Sequence, residues 1–224
     1  MTAAATGRAA AWTAAQVRAR LIAQRVVPVL RLASAELTLR AVRCLREAGF
    51  EIFEITLTTP DACEVIRELA RSEPPALVGA GTVLDAGSAQ ACIDAGAAFL
   101  VSPCLVPGLT SLAHEAHCAA LIGAFTPTEV LAAHREGADI VKVFPASSAG
   151  PAHLAALRAV FPQIALCPTG GVDAGNMAAY FAAGAALVGV GNAIVDAEAL
   201  AAGDLDRAVA RARSCLQAAR STDR

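Results

Sequence analysis

Eight short runs of β-branched and apolar residues recur along the chain at intervals of roughly 20 to 26 residues. They are Val26–Arg31, Ile52–Thr58, Leu77–Val83, Phe99–Pro103, Ala120–Phe125, Ile140–Ala146, Ile164–Gly170 and Ala186–Asn192. The runs are continuously apolar rather than alternating, as in parallel strands covered by helices. Alanine- and leucine-rich stretches of helical character lie between them. Ser34 can cap the stretch Ala35–Ala48, with Glu36 in its first turn, and Gly49 ends it. Further stops stand at Ala95-Gly96, Glu136-Gly137 and Ala183-Gly184, and amphipathic stretches flank the series at Ala14–Gln24 and Leu205–Ala219.

Eight strand–helix units predict an α/β fold, a (β/α)₈ TIM barrel with an extra N-terminal helix. A doubly wound open sheet is the alternative. The 224 residues suit one barrel domain over 1–224, with 1–12 frayed, since no linker or compositional break marks a second domain.

The composition is 56% hydrophobic and 17% charged, and the mean hydropathy of +0.53 is carried largely by alanine. No run of 18 strongly apolar residues is free of charge, Gly or Pro, so no membrane span is expected. A net charge of −2 and a pI near 6.1 give no electrostatic case for nucleic acid. Met1–Ala15 lacks the order of a secretory signal, and seven cysteines without a Cys-x-x-Cys pair suit a reducing cytoplasm. His114, His117 and Cys118 sit together on a helical stretch without a matching ligand pair elsewhere, so no metal site is expected there.

In a barrel, chemistry gathers where the strands end. Of 18 basic residues only one, Lys142, is a lysine, and it lies inside the apolar run Ile140-Val141-Lys142-Val143-Phe144-Pro145. Arginine would serve equally in a buried ion pair, but it cannot lose its proton and attack a carbonyl. A desolvated lysine can, and so becomes a Schiff-base nucleophile. Such a nucleophile needs a proton shuttle, and Glu54 is the carboxylate within the second run. It can also pair with Arg31 or Lys142.

Two glycine-rich ends, Thr169-Gly170-Gly171 and Val188-Gly189-Val190-Gly191-Asn192, follow the last two strands, where barrels often hold phosphate. A short helix over Ala193–Ala199 would add its N-terminal partial charge. Gly79-Ala80-Gly81-Thr82 reads either as room for a ligand or as tight packing.

With these motifs in order, the chain resembles the 2-keto-3-deoxy-6-phosphogluconate (KDPG/KHG) aldolases, which are class I Schiff-base enzymes, from about Val27 to Val195. The resemblance rests on Val27-Pro28-Val29-Leu30-Arg31, Glu54-Ile55-Thr56-Leu57-Thr58, Gly79-Ala80-Gly81-Thr82, Ser102-Pro103, Thr126-Pro127-Thr128-Glu129, Val141-Lys142-Val143-Phe144-Pro145, Pro168-Thr169-Gly170-Gly171 and Val188-Gly189-Val190-Gly191. It implies Lys142 as the imine former and Glu54 as the acid/base. It also implies Thr82 with a nearby arginine on the substrate carboxylate, Pro103 and Phe144 lining the pyruvyl pocket, and Gly170, Gly171, Gly191 and Asn192 on the phosphate, with Thr169 beside them. The implied substrate is a phosphorylated 2-keto acid, cleaved by a homotrimer without metal or organic cofactor. Three departures stand out. Thr58 occupies a position where many members carry arginine, a loss Arg31 can make good. Asn192 replaces the usual serine, and Ile122-Gly123 the usual Pro-Gly.

Overall fold

The computed structural model describes residues 12–72 and 76–221. The fraying expected over 1–12 lies outside the described residues except at Trp12, whose ring the Arg20 guanidinium covers at 4.6 Å.

The chain opens with α1 (Ala14–Gln24), and thereafter strands and helices alternate. They run β1 (Val26–Leu30), α2 (Ala35–Glu47), β2 (Ile52–Thr56), α3 (Ala62–Arg71), β3 (Leu77–Gly81), α4 (Ala86–Ala95), β4 (Phe99–Val101) and α5 (Leu109–Glu115). The second half continues with β5 (Ala119–Ala124), α6 (Pro127–Arg135), β6 (Ile140–Val143), α7 (Gly150–Val160), β7 (Leu166–Pro168), α8 (Met177–Ala182) and β8 (Val188–Val190). Two helices close it, α9 (Ala197–Ala202) and α10 (Leu205–Arg220).

All eight apolar runs contain a strand, but each strand ends one to three residues sooner than its run. The excess residues lie at the barrel mouth, where the ladder gives out: Leu57, Ser102, Phe144 and Thr169 still donate to the neighbouring strand before the chain turns into loops. Ser34 caps α2 as expected, its side chain accepting from the Leu37 amide, and Gly96, Gly137 and Gly184 take positive φ past their helices. The short helix expected over Ala193–Ala199 is displaced. It begins at Ala197, because the Asp196 side chain caps it by accepting from the Ala199 amide.

Every strand pair is parallel, and the order β7-β6-β5-β4-β3-β2-β1-β8 follows the sequence without a reversal. A bridge between Thr169 and Gly189 joins β7 to β8 and closes the cylinder. An open doubly wound sheet would reverse its strand order midway, so that alternative is excluded.

Strand residues alternate between two apolar layers. Outward ones such as Phe53, Ile55, Val78 and Val141 pack under the helices. Inward ones, including Val27, Ile52, Leu77, Phe99, Leu121 and Ile140, fill the barrel together with Val17 and Leu21 of α1. The capping box of Thr13 and Gln16 fixes the start of that plugging helix.

The inward layer contains glycines because its neighbours are large. A Cβ on Gly79 would overlap the Phe99 ring, one on Gly81 the Glu54 carboxyl, and one on Gly189 the Thr169 side chain. Gly79-Ala80-Gly81 is therefore a packing device, and protein groups take up the room it leaves. Gly79→Ala should destabilise the fold by about 1–3 kcal/mol in urea unfolding, despite the gain from a stiffer unfolded chain. Gly191→Ala, where a Cβ would meet only the Val29 carbonyl at 3.9 Å, should stay within about 0.5 kcal/mol of wild type. Equal stabilities for the two variants would mean the Phe99 ring does not need the Gly79 space.

Candidate active site

Inward-facing positions climb each strand in steps of two, and near the mouth this parity meets polar residues. From Ile52 it reaches Glu54, and from Ile140 it reaches Lys142 and then Phe144. From Phe99 it passes Val101 to Pro103, and from Cys167 it reaches Thr169. Val27 leads through Val29 to Arg31. Most of the candidates from sequence are thus delivered to one end of the barrel by strand geometry alone.

Lys142 and Glu54 are both buried, and Lys142 Nζ lies 3.8 Å from Glu54 Oε1. That is close enough for ion pairing and too long for a hydrogen bond. Glu54 Oε1 accepts no hydrogen bond among the described residues. Burial pushes the Glu54 carboxyl above its ordinary value of 4.5, while the charges of Lys142 and then Arg31 hold it down in part. The net shift is upward, the direction that favours proton exchange by a carboxyl acid/base group.

Cys167 pairs with Lys142 in the ladder, and burial pushes its thiol up to about 12. It therefore stays neutral and adds no charge beside the amine. On the other side, the Phe144 ring lies 5.3 Å from Lys142 Nζ. A Cβ on Gly170 would come within 3.2 Å of the same ring, so Phe144 bridges the lysine and the glycine loop.

Arg31 stands exposed one residue past β1, and β1 runs beside β2 with Val29 opposite Glu54. The Leu30 carbonyl just before it accepts from the Thr56 hydroxyl at 3.1 Å and from the Thr59 hydroxyl at 3.4 Å. Thr58 is exposed, and its hydroxyl lies 2.9 Å from that of Thr56. Thr82 takes a φ of +62°, a conformation a β-branched residue avoids. The Ser102 hydroxyl donates to the Cys104 carbonyl at 2.7 Å, and the loop carrying Pro103 passes so close to Gly123 that a side chain there would meet its backbone.

At the glycine ends, three successive carbonyls are occupied. Thr169 O accepts from the Ala146 amide at 2.8 Å, Gly170 O from the Ser147 amide at 2.9 Å, and Gly171 O from Asn176 Nδ2 at 2.8 Å. In a trans peptide the following N–H points the opposite way. The amides of Gly171 and Val172 accordingly face away from these partners, and among the described residues they donate no hydrogen bond, while the Gly170 amide faces β8 at the Thr169–Gly189 bridge. Gly170 and Gly171 sustain the turn with φ of +92° and +78°. Loops that turn successive backbone amides outward are of the kind that bind anions. Asn192 lies in the exposed turn after β8, with no side-chain hydrogen bond among the described residues. Since α9 starts five residues beyond Asn192, no helix N-terminus adjoins it.

Sequence reasoning missed Asn176, whose side chain holds the glycine loop from below, and the hydroxyls of Thr56 and Thr59. Only the Asp173-Ala174-Gly175-Asn176 turn signal could have pointed to the first. His114, Cys118 and their neighbour are accounted for structurally. His114 Nε2 lies 2.9 Å from Asp139 Oδ2, exposed His117 has a φ of +60°, and Cys118 Sγ contacts the Ala97 carbonyl at 3.1 Å. Among the described residues no group of three potential metal ligands occurs.

The KHG/KDPG aldolase of Escherichia coli (strain K12) is 35% identical over 196 residues, covering 87% of this chain and 92% of that protein. A crystal structure of KDPG aldolase from Legionella pneumophila, with pyruvate captured as a covalent carbinolamine intermediate, superposes with a TM-score of 0.82 at 31% identity, covering 89% of this chain and 98% of that one. A native KDPGal structure gives 0.80 at 30% identity, covering 88% and 95%. The KDPG and KHG aldolase model matches residues 17–211, and this chain belongs to that family.

Proposed function

We propose that this protein is a class I aldolase that cleaves 2-keto-3-deoxy-6-phosphogluconate to pyruvate and glyceraldehyde 3-phosphate through an imine on Lys142. The observation that carries the reading is a buried lone lysine 3.8 Å from a buried carboxylate inside the barrel mouth. The Lys142 amine attacks the keto carbon, and loss of water from the carbinolamine gives an imine. Glu54 takes the proton from the hydroxyl on carbon 4. The bond between carbons 3 and 4 breaks, and its electron pair passes to the protonated imine to leave an enamine. Glu54 returns the proton to carbon 3, and water releases pyruvate and free Lys142.

In this reading Arg31 and Thr82 hold the substrate carboxylate, and Pro103 and Phe144 flank the pyruvyl carbons. The cradle at Gly170 and Gly171, with Thr169, Gly191 and Asn192, takes the phosphate. The same chemistry on the galactonate epimer is the second reading, favoured by the likeness to the KDPGal structure. 4-Hydroxy-2-oxoglutarate is a further substrate of the same type. We also infer a single-domain chain acting as a homotrimer in the cytoplasm, without metal or organic cofactor, within Entner–Doudoroff sugar-acid breakdown. The family resemblance supports these points, and no described helix is long and apolar enough to cross a membrane.

Lys142→Arg keeps the charge and removes the imine chemistry. Aldol cleavage should fall below about 1% of wild type while the circular dichroism spectrum is kept. Activity well above that level would rule out Schiff-base catalysis at Lys142.

Arg31→Gln tests the carboxylate clamp. Guanidinium–carboxylate pairing is bidentate, and an amide does not reproduce it, so pyruvate binding should weaken by about tenfold or more. Because the Arg31 charge lowers the Glu54 pKa, its loss raises that pKa, and the acid limb of the kcat/KM profile moves to higher pH. Unchanged pyruvate affinity would remove Arg31 from the clamp and leave Thr82 with backbone amides.

A further inference from the structure

The loop after β6 forms a single 3₁₀ turn over Ala146–Ser148 that lies against the glycine loop after β7. Two backbone hydrogen bonds join them, Ala146 N to Thr169 O and Ser147 N to Gly170 O, at 2.8 and 2.9 Å. The Tyr180 hydroxyl, donating to the Ala146 carbonyl at 3.2 Å, braces the turn from α8. Ser147 is consequently fixed in place by its backbone, although its side chain is exposed. That side chain stands directly beside Gly171. A Cβ built on Gly171 would lie 2.5 Å from Ser147 Cβ and 3.1 Å from its Oγ. Among the described residues the Ser147 hydroxyl has no hydrogen-bond partner. An unpaired hydroxyl thus borders the Gly171 amide, which donates no hydrogen bond among the described residues.

We propose that Ser147 is a phosphate ligand, its hydroxyl donating to a phosphate oxygen held by the Gly171 amide in the loop after β7. The proposal rests on the reading that this loop holds the substrate phosphate, and it adds a side-chain donor from the sixth loop, next to the lysine strand. Asn192 in the turn after β8 carries an amide, and Ser147 in the loop after β6 supplies a hydroxyl. A phosphate with three acceptor oxygens accommodates both.

The test compares kcat/KM for 2-keto-3-deoxy-6-phosphogluconate and for unphosphorylated 2-keto-3-deoxygluconate in wild type, Ser147→Ala and Ser147→Thr. The wild type should prefer the phosphorylated acid. Ser147→Ala should lose about tenfold of that preference through KM, the effect of one charge-assisted hydrogen bond, and Ser147→Thr should restore it. Full preference in Ser147→Ala would overturn the role of Ser147 and leave the phosphate loop standing. Absence of any preference in the wild type would overturn the phosphate reading and this proposal with it.

Discussion

The Lys142–Glu54 pair sets the terms for the rest of the barrel. Taking two charges out of water is costly, and their attraction at 3.8 Å offsets this only in part. The upward shift of the Glu54 carboxyl is the visible residue of that imbalance. Around the pair, the interior makes room without adding polarity. Gly81 leaves space for the carboxyl, Cys167 stays a neutral thiol opposite the lysine, and Phe144 covers the amine with a ring face. A pair placed this way has poor internal satisfaction, since Glu54 Oε1 accepts no hydrogen bond among the described residues. That oxygen lies buried between Gly81 and the Lys142 amine.

The second half of the site is organised by the same logic applied to backbone. Three consecutive carbonyls of the glycine loop are taken up by Ala146, Ser147 and Asn176, which turns the intervening amides away from those partners, that of Gly170 toward β8. The turn after β8 is anchored differently. Buried Asp196 caps α9 and pairs with Arg207 and Arg211 of α10 at 2.8 and 3.4 Å, and Arg211 Nε also donates to the Ala193 carbonyl at 3.0 Å. Ion pairs reaching from the last helix therefore hold the 191–196 segment over the barrel.

What the sequence disclosed and what it hid follow from the range of the interactions involved. Strand parity is local, so counting in twos from Ile52 and Ile140 leads to Glu54 and Lys142 without any tertiary knowledge. The closed barrel was legible from eight evenly spaced apolar runs. The start of α9 was not, because Asp196 is fixed by arginines more than ten residues away in sequence. Thr82 gave no sign of its positive φ, and Gly79 and Gly81 read equally as ligand space until Phe99 and Glu54 were seen to fill it. Asn176 and Ser147 escaped notice because their roles depend on two loops meeting, which no single stretch of sequence encodes.

The central claim is that the Lys142 amine forms an imine with a 2-keto acid. Treating the folded protein with pyruvate and borohydride, then weighing the intact chain and its peptides, tests it directly. The account predicts one stable reduced adduct per chain, confined to the peptide containing Lys142. No added mass, or an adduct on another peptide such as the one bearing the chain's amino terminus, would contradict it.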